Sequence, residues 1–121
     1  MRKIISDVVN FPNGCETVYN KLVRDHIPDI IKANGQTPLV RTLDEADFLS
    51  ALDQKFREEM NEYLASGSLE ELCDVLEVAH AIAKVRGYSE HDIDKLRSEK
   101  NKTNGAFEKR LFLERVIGDA P

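Results

Sequence analysis

Two cysteines in 121 residues, Cys15 and Cys73, are too few and too far apart for a disulfide framework or a zinc site. Cys73 is therefore expected as a small core residue. No apolar run approaches the length that crosses a bilayer, and the opening MRKIISDVVN lacks the apolar core of a signal peptide. Those absences lead to the expectation of a cytoplasmic protein with no membrane partner. Bases are in deficit as well, with 17 Lys and Arg against 22 Asp and Glu and a formal net charge of −5. Broad nucleic-acid binding relies on clustered Lys and Arg neutralising phosphates, so no nucleic-acid partner is expected. A small phosphate ligand fits the same balance, because a metal ion and a few local bases can bring it in. There is no internal repeat, no low-complexity tract and hardly any strand signal. What is present is a chain 41% hydrophobic and 32% charged, of a length that makes one soluble globular domain.

Residues 1–18 read as an N-terminal arm, with a short β-like patch, IISDVV, and a turn at FPNGCE marked by Pro and Asn-Gly. Residues 19–121 read as an all-α domain. A short helix is expected from Asp25, with Asp25 as N-cap, Pro28 in the first turn and Gly35 as the stop. QTPLVRTL then forms an extended connector. A second helix is expected to start near Thr42 to Glu45, which has capping-box spacing, and to run to about Ser66, where Gly67 ends it. Ser68-x-x-Glu71 is a second capping box and opens a third helix that stops at Gly87. A fourth runs from Ser89 to about Lys102, with Gly105 beyond, and FEKRLFLERV forms an extended tail or a last short helix. The fold expected is a bundle of three to four main helices.

The stretch EEMNEYLASGSLEELCDV, Glu58 to Val75, carries six acidic side chains. At 100° per residue, Phe48, Leu52, Phe56 and Tyr63 share one arc of the second helix; Glu59 falls inside it, Glu62 at its edge and Glu58 toward the polar side. On the third helix Glu70, Glu77 and Lys84 make a polar stripe, whereas Glu71 and Asp74 point toward Val78, Ala81, Ile82 and Val85. Joined around Gly67, the two helices form an antiparallel pair, each offering two carboxylates three residues apart on its packing side. Uncompensated, such a group is costly; it takes up protons or binds cations. An all-oxygen donor set selects a hard ion, Mg²⁺ or Mn²⁺ in its place. Each acid also has an ordinary reading: Glu71 as the reciprocal partner of Ser68, Glu62 as a solvated border residue.

The pattern Glu59-x-x-Glu62 followed by Glu71-x-x-Asp74 resembles the metal-binding signature of the all-α nucleoside triphosphate pyrophosphatases, the MazG-like superfamily. That superfamily includes phosphoribosyl-ATP pyrophosphohydrolase and the dimeric dUTPases. YNKLVRDHIPDII, Tyr19 to Ile31, resembles the opening motif of its small phosphoribosyl-ATP pyrophosphohydrolase-like members, and KNKTNGAF, Lys100 to Phe107, resembles a downstream stretch. Where those members carry Arg-Gly-Gly-Phe, this chain has Asn104-Gly105-Ala106-Phe107. The resemblance implies a Mg²⁺-dependent hydrolase that releases pyrophosphate from a nucleoside triphosphate, leaving the monophosphate. Glu59, Glu62, Glu71 and Asp74 would then bind the metal, and Glu59 or Glu62 would orient or deprotonate the attacking water. Lys21 and Arg24 would meet the phosphates, Asn20 and Asp25 the sugar or base, and Lys100 and Lys102 would add further basic contacts. For Lys21 and Arg24 the ordinary alternative is an exposed ion pair with Asp25.

Two rival readings follow from the residues. Glu77-Val-Ala-His80 is the Glu-x-x-His unit of di-iron carboxylate bundles, which need two such units; otherwise His80 is a packed or hydrogen-bonded helix residue. Alternatively, the chain is a non-catalytic helical dimerisation module. Under every reading the third helix, apolar over about 240° of its circumference, calls for a homodimer or tetramer.

Overall fold

The computed structural model describes residues 8–11 and 14–118. The chain is an all-α helical bundle. Among the described residues four helices follow one another: α1 (Ile27–Ala33), α2 (Glu45–Ser66), α3 (Leu69–Val85) and α4 (Glu90–Asn104). A small β-hairpin precedes them in the N-terminal arm, β1 (Val8–Phe11) pairing antiparallel with β2 (Gly14–Thr17) in the register Val8↔Thr17 to Phe11↔Gly14. The β-like reading of the arm holds at Val8 and Val9; residues 4–7, and residues 12–13 of the expected turn, lie outside the described residues.

Local chemistry accounts for most helix ends. Gly67 adopts φ +66°, a left-handed conformation that stops α2, and its N–H donates to the Tyr63 carbonyl at 2.7 Å. Only Gly67 and Ser68 separate α2 from α3, so the two long helices run back against each other and form the main packing unit. α4 packs on the other end of that unit, against α3. Its start is a full capping box: the Ser89 hydroxyl accepts from Asp92 N–H (3.1 Å), and the Asp92 carboxylate accepts from Ser89 N–H (2.8 Å). Residues 105–118 form no further helix and run on as an exposed tail.

Two caps differ from the sequence expectation. α1 begins after His26, with no side-chain cap, and Asp25 is not its N-cap. The Ile27 N–H is already taken by the Arg24 carbonyl (3.1 Å) and Pro28 has no N–H, so the orphan donors that recruit a capping carboxylate are largely absent. α2 is capped by Asp44, whose carboxylate accepts from Asp47 N–H at 2.8 Å, instead of by a Thr42 box. Cys73 is also a correction: it is exposed, on a side of α3 left open among the described residues.

The buried apolar core is small, consisting of Ile27, Leu52 and Val78 among the described residues. Glu59 and Glu71 are buried beside it, at 2% and 7% exposure. No helix is long and apolar enough to cross a membrane among the described residues.

Candidate metal centre on the α2–α3 hairpin

Glu59 faces α3 because it occupies the same helical arc as Leu52, whose burial sets the packing side of α2. Glu71 enters from the first turn of α3. The Ser68 hydroxyl accepts from Glu71 N–H (3.2 Å), but the Ser68 N–H donates to Ser66 Oγ (3.2 Å). Only half of a capping box is therefore made, and the Glu71 carboxylate turns inward instead of closing it. Asp74 follows one turn later on the same face. One carboxylate oxygen from each of Glu59, Glu71 and Asp74 lies within 4.8 Å of the others. Glu62, one turn beyond Glu59, stands outside that trio; its Oε2, like Glu71 Oε2, is sealed from solvent. The donor set is oxygen only, converging and largely dehydrated, which suits a hard divalent cation.

Cationic side chains border the acids. Arg24 Nη2 donates to Asp74 Oδ1 at 2.6 Å, and Lys21 Nζ to Glu58 Oε1 at 3.3 Å. Both bases of the NKLVRD segment thus reach the hairpin, instead of forming the expected alternative pair with Asp25, which is exposed. The Lys21 ammonium also lies 5.9 Å from the Tyr19 ring centroid, over its face. Asn20, at φ +46°, makes the bend that delivers Lys21. With Gln54, Lys55 and Glu58, Asn20 and Lys21 line a cavity of about 50 Å³.

Lys55 has no counterpart in the sequence expectation. Its Nζ lies 3.2 Å from Glu59 Oε1 and 3.6 Å from Glu58 Oε1, with the side chain 13% exposed. The signal available was its position, one turn before Glu59 on α2; a lysine at that spacing reads by default as an ordinary surface pair. Glu58, assigned to the polar side, is half-buried and holds both lysines.

Lys100 and Lys102 are exposed on α4, which packs on α3; Lys100 borders an open groove with Tyr88, Leu96 and Arg97. Glu77 lies on the exposed stripe with Glu70 and Lys84, as expected. His80 is half-buried and faces α4, its Nδ1 3.9 Å from Glu90 Oε1, which fits the packed-histidine reading.

No family model matches the chain, and no solved structure matches it. Over 46 residues the chain is 48% identical to an uncharacterized protein of Mycolicibacterium smegmatis, a match that spans 38% of this chain and 47% of that protein.

Proposed function

We propose that the protein is a divalent-metal-dependent nucleoside triphosphate pyrophosphohydrolase of the MazG-like kind, working in the cytoplasm. The observation that carries this reading is the convergence of Glu59, Glu71 and Asp74 within 4.8 Å on two facing helices. Three of the four acids of the Glu-x-x-Glu and Glu-x-x-Asp pattern make up this trio, and Glu62 stands outside it, one turn from Glu59. These carboxylates would hold Mg²⁺ or Mn²⁺, which when bound would supply Lewis-acid chemistry for phosphate oxygens and for water.

The chain's own residues have separate tasks. Glu59, Glu71 and Asp74 provide the anionic oxygens for the cation, and burial of Glu59 and Glu71 keeps bulk water from competing for it. Glu62, with one oxygen sealed inside the hairpin, orients or deprotonates the attacking water. Lys21 and Arg24 border the acids from the N-terminal side, where they neutralise the departing β- and γ-phosphates. Asn20 contributes polar contacts to the substrate from the rim of the small cavity. Asp25, Lys100 and Lys102 are exposed, which suits contacts to the outer part of a bound nucleotide.

The protein acts as a homodimer or tetramer. Support comes from the imbalance, among the described residues, between three buried apolar residues and an exposed set that includes Leu69, Leu72 and Leu76 along α3 and Phe107, Leu111 and Phe112 in the tail. This feature alone also suits a non-catalytic dimerisation module, and activity separates the two. Pyrophosphate release is measured across the ribo- and deoxyribonucleoside triphosphates with Mg²⁺, alongside Glu71→Gln. Release by the wild type that the variant loses is the expected result; no release from any triphosphate defeats the proposal.

A further inference from the structure

We infer that Lys55 is a resident counter-ion of the carboxylate cluster, one that an incoming divalent cation must displace, and that Glu58 is the acceptor onto which it is displaced. The inference rests on the metal reading given above.

The pair between Lys55 and Glu59 is not what helix preference produces. Lysine four residues before glutamate is the weaker order on an isolated helix, and holding a lysine chain in one geometry costs side-chain entropy. The demand comes from Glu59, a carboxylate 2% exposed that needs a cation beside it whenever no metal is bound. Lys55 meets that demand at 3.2 Å while itself 13% exposed, so its charge is poorly screened. A divalent ion on Glu59 would find this ammonium within a few ångströms and be repelled by it. Lys55 has a second carboxylate in reach, Glu58 Oε1 at 3.6 Å, so its departure from Glu59 is a short shift between neighbours and not a return to water. The same Glu58 oxygen is held at the same time by Lys21, at 3.3 Å, which keeps the acceptor in place.

A lysine poised between a metal ligand and a non-ligand makes a distinct prediction for metal affinity: removing the native cation should strengthen binding. Mn²⁺ binding to the full chain without nucleotide, followed by the electron paramagnetic resonance signal of free Mn²⁺, reads this directly. Lys55→Met is expected to tighten Mn²⁺ binding about five- to tenfold, whereas Lys84→Met, the same charge change on the exposed stripe of α3, leaves it within about twofold. Lys55→Arg keeps the wild-type affinity. Glu58→Gln weakens binding in the wild type and does so much less in the Lys55→Met background, because the displaced ammonium is then absent. Lys55→Gln is measured beside Lys55→Met, and helical circular dichroism confirms that both fold. Affinity unchanged or weakened by both neutral variants, or tightened equally by Lys84→Met, overturns the role given to Lys55 while leaving the metal site standing. A wild-type chain that binds no Mn²⁺ overturns the metal reading and this inference with it.

Discussion

In the α2–α3 hairpin, carboxylates occupy positions that an ordinary helical pair fills with leucine; from α4 to residue 118, leucine and phenylalanine occupy positions that an ordinary surface fills with charge. Glu59 and Glu71 are buried, whereas every described residue from Glu90 to Gly118 except Ile93 is exposed, Phe107 to 98% and Phe112 to 88%. The contrast separates two demands on one sequence. The hairpin gives up apolar burial to gather negative charge, and that choice makes sense if a cation is to be held there. The C-terminal part carries exposed apolar surface beside a core that is small among the described residues, and it makes sense if a second copy covers it.

Breaking the hairpin's side of this contrast should have the largest effect. Glu59→Gln, Glu71→Gln and Asp74→Asn are each expected to lower Mg²⁺-dependent turnover by about a hundredfold or more with helical circular dichroism intact. Glu70→Gln and Glu77→Gln, on the exposed stripe of the same helix, should stay within about twofold. Equal losses in the two groups would remove the distinction between the faces of α3.

Next in size is the exposed apolar surface, which also runs along α3. Leu72→Lys combined with Leu76→Lys is expected to shift the sedimenting species from dimer or tetramer to monomer at micromolar concentration, since both leucines are exposed in the single chain and lie one turn apart on α3. Wild-type protein that sediments as an active monomer would break the comparison outright.

A smaller effect sharpens the electrostatic side. A divalent ion that binds the native state alone raises stability by mass action, by about 5–10 °C in melting temperature at roughly a hundred times its Kd. Millimolar Mg²⁺ or Mn²⁺ should therefore outdo Na⁺ at matched ionic strength, and Glu59→Gln should remove most of the difference. A melting curve that treats the three ions alike would count against a cation site in the hairpin.

Much of the hairpin was legible in the sequence because its signals are local. Gly67, Ser68, Gly87 and Ser89 mark ends that depend on backbone conformation and on hydrogen bonds spanning a few residues, and helical projection alone places Glu59, Glu71 and Asp74 on the packing side. What escaped depends on contacts across the chain. Arg24 meets Asp74 and Lys21 meets Glu58 across tens of residues, contacts that local spacing cannot show and that leave a pair with Asp25 as the ordinary alternative. Lys55 was passed over because a lysine on α2 near glutamates is common, and its meaning depends on how deeply Glu59 is buried. Cysteine count and spacing suggest a core place for Cys73, but they carry no information on which side of α3 it occupies, and it is exposed.

The smallest predicted effect lies at the boundary between the two regions. The Ser89 backbone N–H and, secondarily, its hydroxyl hold the Asp92 carboxyl below the usual carboxylate range. A pKa depressed in the folded state contributes stability that is present above the unfolded value and lost as pH falls through the folded one. Asp92→Asn should therefore lower the melting temperature slightly near pH 7, and the difference should vanish once pH has fallen through the folded-state value and both states are protonated. A gap between the two proteins that persists at the acid end would assign the effect to something other than this carboxylate.

The claim on which the rest depends is that carboxylates of the hairpin direct water onto the α-phosphorus of a nucleoside triphosphate. Turnover in ¹⁸O-labelled water, with products separated by mass, tests it most directly. The label is expected in the nucleoside monophosphate, with pyrophosphate unlabelled and no free orthophosphate formed. Label in pyrophosphate would mean attack at the β-phosphorus and label in orthophosphate would mean loss of the γ-phosphate; either result contradicts the proposed chemistry even if Glu59, Glu71 and Asp74 prove essential.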